Sequence, residues 1–528
     1  MKKCLIYDTT LREGSQSPGI SPSVSDKLRI ALELDALGVS FIEGGIPGSN
    51  PKEDEFYRRA GELKLKHSRI VPFGRTLLPG KTPETDELLK ALAETPFEYV
   101  CVFAKTDPDV VRGVLRIDPA SNISLIVRTL EYLKAAGKTV IFDCEHYFRC
   151  ALSGSGYAIE CIKAAAQAGA SYIVLCDTTG AADPELTARE VKKVRRLLND
   201  LPGIGVGVHM HNDGGMADAN TYSGAAAGAE LINTTLFGLG ERSGGADFFT
   251  TVPNLELKLG RRCLKKGKLT ELTRESYLLA ELLNIKPYAG APYVGRNAFA
   301  HKAGTHIDAV KKSPGSYECV PPESVGNTRR FLTSEYTGRS GMRTKVEEIL
   351  GNTDDELCER ILSELKQKEF EGYQYESAEA SLELMVRKLA GTYEPAFSLN
   401  SYKVITLDEK AYSEFSASAI VDMKVDGVSE ITAGNGIGPV DALDHAFHRA
   451  MGHFYPATGE LKLTDYRVRV IDSGSGTASK VRVFVEFTAG GKSFGTVGVS
   501  GDIIQASWSA LVDAYEYWIM RGREAGLC

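Results

Sequence analysis

Two histidines two residues apart, His209 and His211 in the run GVHMHND at 207–213, give the strongest chemical signal in the chain. On a strand, alternate side chains share a face, so both imidazoles point the same way and can bind one divalent cation. A carboxylate usually completes such a set, and Glu13 or Asp8 in the run DTTLREG at 8–14 is available. By itself the pair is read equally well as two hydrogen-bonded structural histidines. Arg12 carries a permanent charge suited to gripping a carboxylate or polarising a carbonyl, although an arginine beside a glutamate is more often a plain ion pair. Glu145 follows an apolar run, where burial and a nearby cation would set its use in proton transfer. Thr178 and Thr179 offer hydroxyls to a substrate carboxylate or to turn backbone. The glycine-rich stretch 238–245, holding Gly238, Gly240, Glu241 and Arg242, lets backbone approach a phosphate or thioester, or is a flexible loop. His301 and His306 read by default as surface histidines.

These residues share one kind of position, the end of a short apolar run. Eight such runs occur before residue 260, at 4–8, 41–44, 70–73, 99–103, 140–144, 172–176, 206–210 and 231–236. Each is followed by turn residues and then by helical spacing. Ile30, Leu34 and Leu37 stop at Gly38, and Ile126, Leu130 and Leu133 stop before Gly137. Eight strand-then-helix repeats predict an α/β fold closed as a TIM (β/α)8 barrel, with an open doubly wound sheet as the alternative. In a barrel, strand ends meet at one mouth, which brings residues far apart in sequence to one site.

A barrel of about 250 residues leaves half of a 528-residue chain to explain. The expected division is a catalytic barrel over 1–265, helical linker subdomains over 266–400 and an α+β domain over 401–528. Strands at 466–472 and 480–486 and helices at 440–451 and 503–520 make two strand-rich blocks that each end in a helix, a plausible internal duplication. Hydrophobic residues at 43% and charged residues at 25% describe a soluble chain with a core. A net charge of -7 gives no global pull toward nucleic acid or an anionic membrane. No run reaches membrane-spanning length, no signal peptide opens the chain, and ten cysteines without a C-x-x-C pair suit reduced thiols, so the expected location is the cytoplasm.

Taken together, DTTLREG at 8–14, GVHMHND at 207–213 and GLGER at 238–242 resemble the family of 2-isopropylmalate, homocitrate and citramalate synthases. IEGGIPGSNPK at 42–52 and VGNTRRF at 325–331 look like its long citramalate branch. GPVDALDHA at 438–446, DYRVRV at 465–470 and ASWSALVD at 506–513 are similar to its amino-acid-binding regulatory domain.

The resemblance implies condensation of acetyl-CoA with pyruvate, leading toward isoleucine, and a divalent metal (Mn, Mg or Zn) held by Glu13, His209 and His211. Arg12 would polarise the 2-oxo group, Thr178 hold the acid's carboxylate, and Glu145 act as a catalytic carboxylate. His306 would serve the neighbouring subunit of a homodimer, and 238–242 would face the CoA thioester. An isoleucine or leucine effector is implied at the C-terminal domain. Three positions depart from the family pattern: Gly245 stands where Asn is usual near the metal, leaving Asp247 or water to substitute, Arg329 replaces a tyrosine of the isopropylmalate branch, and Asp502 replaces an Asn. The alternatives are a sister synthase using 2-oxoisovalerate or 2-oxoglutarate, a non-catalytic amino-acid-binding protein, and a metal-dependent lyase.

Overall fold

The computed structural model describes residues 2–201, 203–332, 339–406, 416–471, 479–490 and 492–524. Two compact units divide the chain: Met1–Phe299 with Cys319–Arg329, and Ala300–Glu318 with Arg330–Cys528.

The first unit is a closed barrel of eight parallel strands: β1 (Leu5–Asp8), β2 (Phe41–Gly45), β3 (Arg69–Arg75), β4 (Tyr99–Lys105), β5 (Thr139–Glu145), β6 (Tyr172–Asp177), β7 (Gly205–Met210) and β8 (Leu231–Thr234). Closure is made by β1 against β8, with Leu5 opposite Leu231. Every expected run overlaps one of these strands, the last overshooting β8 by Thr235 and Leu236, and the open-sheet alternative is excluded. Inward side chains such as Tyr7, Phe41, Val71, Cys101 and Ile141 fill the barrel, while alternate residues such as Ile6 and Ile42 meet the outer helices. Each fully buried aliphatic side chain contributes ~1.5–3 kcal/mol.

The helices start where local chemistry dictates. Ser23 and Asp26 form a reciprocal capping box on α1 (Val24–Leu37), which ends at Gly38 in the left-handed region at φ 91°. Asn50, Asp118 and Asp183 cap α2 (Pro51–Ala60), α3 (Pro119–Ala135) and α4 (Pro184–Leu197), each with proline at the first helical position, where its missing N–H costs nothing.

In the second unit, α5 (Gly304–Lys312) and longer helices, including α6 (Asp355–Glu371), precede two three-stranded antiparallel sheets. The first, β9 (Ser398–Thr406), β10 (Ala417–Val425) and β11 (Val428–Gly436), runs into α7 (Pro439–Phe454). The second, β12 (Lys462–Val470), β13 (Val481–Ala489) and β14 (Lys492–Ser500), runs into α8 (Ile503–Glu524). The expected strand over 466–472 is described to residue 470, and residue 472 lies outside the described residues. The two halves repeat in detail: Thr432 Oγ1 donates to Ala446 O, and Thr496 Oγ1 donates to Ala510 O, both at 2.7 Å. At the matching glycines, Gly434 and Gly498, an added Cβ would collide with the helix backbone. Among the described residues no helix is long and apolar enough to cross a membrane.

Candidate active site

β1 ends at Asp8, and the amides of Arg12 and Glu13 then fold back to the Thr9 carbonyl at 3.1 and 2.8 Å. That tight turn places Arg12 and Glu13 on the wall of a cavity of about 270 Å³. Arg12 Nε donates to Glu43 Oε1 at 2.5 Å, Nη1 pairs with Glu13, and the guanidinium lies 4.0 Å over the Phe73 ring. Burial opposes the charge on Arg12, yet Glu43 and Glu13 hold it more firmly protonated than usual. Glu43, fully buried on β2, also accepts from the Tyr7 hydroxyl. Burial raises the proton affinity of Glu13, but Arg12 and then His209 and His211 more than offset it, and its pKa falls to about 2.

His209 near the end of β7 and His211 just beyond it stack with ring centroids 5.1 Å apart and planes within 7°. Burial, then His211, lowers the pKa of His209 to about 3, and burial lowers that of His211. Both imidazoles are therefore neutral near pH 7 and offer lone pairs, facing a carboxylate that stays ionised. Ligand atoms of Glu13, His209 and His211 lie within 4.8 Å of one another. This is the donor set a divalent cation requires.

Behind His209, the Asn233 amide sits 3.4 Å from Nδ1 while its own Oδ1 has no partner. With the amide turned, Oδ1 accepts the Nδ1 proton and Nε2 remains the free lone pair, the usual support for a metal-binding histidine. Asp143, Cys176 and His209 form a second cluster. It is the poorer ligand set, because burial and then Glu43 push Asp143 up to about 8 and burial keeps the Cys176 thiol protonated.

The remaining expected residues divide into those at the cavity and those away from it. Glu145 closes β5, lines the cavity and accepts from Lys105 Nζ at 2.5 Å. Thr178 lines it too, with Oγ1 accepting the His146 amide at 2.8 Å. His146 itself is held at φ 67°, an unusual conformation for a residue with a Cβ. Glu241 and Arg242 also line the cavity, and Arg242 is fixed by Asp213 at 2.7 Å and by the Thr178 carbonyl at 2.8 Å.

Gly238 and Gly240 instead shape the turn. The Gly245 amide donates to Gly238 O, and Gly240 N donates to Ser17 Oγ at 2.6 Å. A Cβ on Gly244 would lie 1.8 Å from Gly238 O, so the two arms of the turn approach more closely than a side chain there would allow. Asp247 does not substitute at the metal set: its oxygens accept from Phe249 N and Thr250 Oγ1, and it caps the helix Phe248–Pro253. His306 belongs to the second unit, exposed on α5 and stacked 4.1 Å from Tyr317.

Four cavity partners were not singled out from sequence: Glu43, Phe73, Lys105 and Asn233. Glu43 had a usable signal, since a carboxylate inside the apolar strand FIEGG demands a cation. Phe73 resembles any core aromatic, and Lys105 any strand-end lysine.

The HMGL-like family profile matches residues 3–276, the homocitrate synthase post-HMGL domain-like profile 293–372, and the LeuA allosteric (dimerisation) domain 376–519. An (R)-citramalate synthase of Synechocystis sp. is 42% identical, covering 97% of this chain and 95% of the relative. One from Aquifex aeolicus is 40% identical, covering 100% and 99%. A 2-isopropylmalate synthase of Pyrococcus furiosus is 31% identical over 97% of this chain and 98% of that one. With its barrel, its linker segment and its C-terminal domain all matched in order, the chain belongs to the HMGL-like family, in the group that contains the (R)-citramalate and 2-isopropylmalate synthases.

Proposed function

We propose that the chain is an (R)-citramalate synthase, condensing acetyl-CoA with pyruvate and hydrolysing the resulting thioester to citramalate and free CoA, a step toward isoleucine. The observation that carries this reading is Arg12 wedged between Glu43 and Glu13 beside two neutral histidines, in a chain about as similar to the citramalate synthases over its whole length as 40% identity describes. A divalent cation, Mn, Mg or Zn, held by Glu13, His209 and His211 supplies Lewis acidity toward the 2-oxo acid.

The chain's own residues do the rest. Arg12, unable to lose its proton, holds the keto oxygen and favours the negative charge that develops there. The Thr178 hydroxyl binds the acid's carboxylate. Glu145 takes a proton from the acetyl methyl at a carboxylate oxygen, the carbon so freed attacks C2 of pyruvate, and the new alkoxide gains a proton. Water then cleaves the citramalyl thioester, expelling the CoA thiol. The turn at 238–242 faces the thioester through Glu241 and Arg242, and His306 completes the neighbouring subunit's site.

A homodimer is supported by the matched dimerisation domain and by outward apolar residues on its sheets, among them Ile420, Ile431, Val468 and Val470. An isoleucine or leucine effector at this domain and a cytoplasmic location complete the reading. Release of free thiol from acetyl-CoA, with manganese present and pyruvate, 2-oxoisovalerate or 2-oxoglutarate in parallel, tests it. Pyruvate is expected to be preferred; preference for another acid would make this a sister synthase, and no turnover with any would remove the synthase reading.

A further inference from the structure

Lys105 and Glu145 are the last residues of neighbouring parallel strands, β4 and β5, and they stand opposite each other in register. Two residues earlier on each strand are Phe103 and Asp143, both lining the cavity, so the period of two turns Lys105 and Glu145 to the same inner face. Nζ of Lys105 donates to Glu145 Oε2 at 2.5 Å, and each side chain is about one-fifth exposed (19% and 23%). The backbone here does not depend on that contact. The Glu145 carbonyl is held by both the amide and the hydroxyl of Thr106 at 2.9 Å, and the Lys105 carbonyl by Asn122 Nδ2 at 2.9 Å. Lys105 forms no other ion pair among the described residues. The neighbouring strand-end cation, Arg75 on β3, is committed to the helix cap Asp86 at 2.7 Å and does not replace it.

We infer that Lys105 is a positioning residue for the condensation, holding the Glu145 carboxylate aimed into the cavity. The inference rests on the proposed role of Glu145 in proton transfer. A flexible carboxylate beside open solvent samples many rotamers, whereas one tethered by a short charge-assisted bond is fixed relative to the bound methyl group. Arginine at position 105 keeps the charge and reaches the same carboxylate; methionine keeps the stem and loses the tether.

The test uses the full-length, manganese-loaded protein and thiol release with pyruvate. Lys105→Met is expected to lower kcat about a hundredfold, with KM for pyruvate and acetyl-CoA and the melting temperature unchanged. Lys105→Arg should restore most of that loss, and adding Lys105→Met to Glu145→Gln should cost nothing further. A raised KM with unchanged kcat would make Lys105 a substrate-binding cation and overturn the inference. So would wild-type kcat in Lys105→Met beside an impaired Glu145→Gln, or failure of Lys105→Arg to recover activity. Undiminished turnover by Glu145→Gln would instead remove the role of Glu145, and this inference with it.

Discussion

The two units treat buried polar groups in opposite ways. Among the described residues, every buried side-chain polar atom without a hydrogen-bond partner lies in the barrel unit, including atoms of Asp8, Asp143, His146 and Asn233 near the strand ends. The C-terminal unit pairs its own: Ser381 donates to Asp513 at 2.6 Å, Glu383 receives Arg387 at 2.9 Å and Arg521 at 2.7 Å, and Tyr515 donates to Asp444 at 3.3 Å. An unpaired buried group costs stability, so its retention marks a place where another requirement prevails. Near the barrel mouth the unpaired atoms stay open to a ligand, whereas these buried polar groups of the C-terminal unit are spent on one another.

The contrast can be broken by substitutions in either unit. The largest effect is expected from His211→Ala, which should reduce turnover about 10³-fold and abolish tight manganese binding while leaving the circular dichroism spectrum intact. Arg12→Gln should follow, at about 10²–10³-fold in kcat, with metal retained; an equal loss of metal would show that Arg12 serves mainly to hold Glu13. In the other unit, Phe447→Ala empties a site packed against Tyr515, Trp508 and Phe397 at centroid distances of 4.5, 4.9 and 5.3 Å. Denaturant unfolding should register about 3–5 kcal/mol of lost stability, with thiol release per folded molecule nearly unchanged.

A pH scan of the metal-free protein sharpens the comparison. Asp143 has its pKa raised by burial from 3.8 to about 8, so the folded state keeps a proton that the unfolded state releases. Its stabilising contribution is complete below about pH 4 and is lost as pH rises to about 8. Asp8 and Asp247, each raised to about 7 by burial, act in the same direction. Asp143→Asn should flatten part of that decline in a melting-temperature series from pH 5 to 8, and an unchanged slope would refute the assignment. The smallest effect concerns Gly245, whose added Cβ would meet only Met210 O at 3.3 Å. Gly245→Asn should fit after a slight shift and tighten manganese binding about tenfold, measurable by calorimetry.

Much of the barrel was legible from sequence because apolar strand runs, helical spacing and glycine stops are local signals. His209 and His211 stood out by their two-residue spacing, whereas the strand end alone left Glu13 and Asp8 both open and the family resemblance chose between them. What sequence hid was partnership across the barrel. Glu43 faces Arg12 only because β2 lies beside β1, and Asn233 reaches His209 only because β8 lies beside β7. The glycine stretch kept two readings open because neither Ser17 nor Gly238 announces its hydrogen bond in the turn. Asp247 looked free to bind metal until the helix it caps was placed.

The most direct test follows methyl-labelled acetyl-CoA and pyruvate by carbon NMR with wild-type protein, before and after chelation. The account predicts one citramalate and one free CoA for each pyruvate consumed, arrest on chelation and recovery when a divalent metal returns. Thiol release without a new carbon–carbon bond, or condensation that continues in chelator, would contradict it.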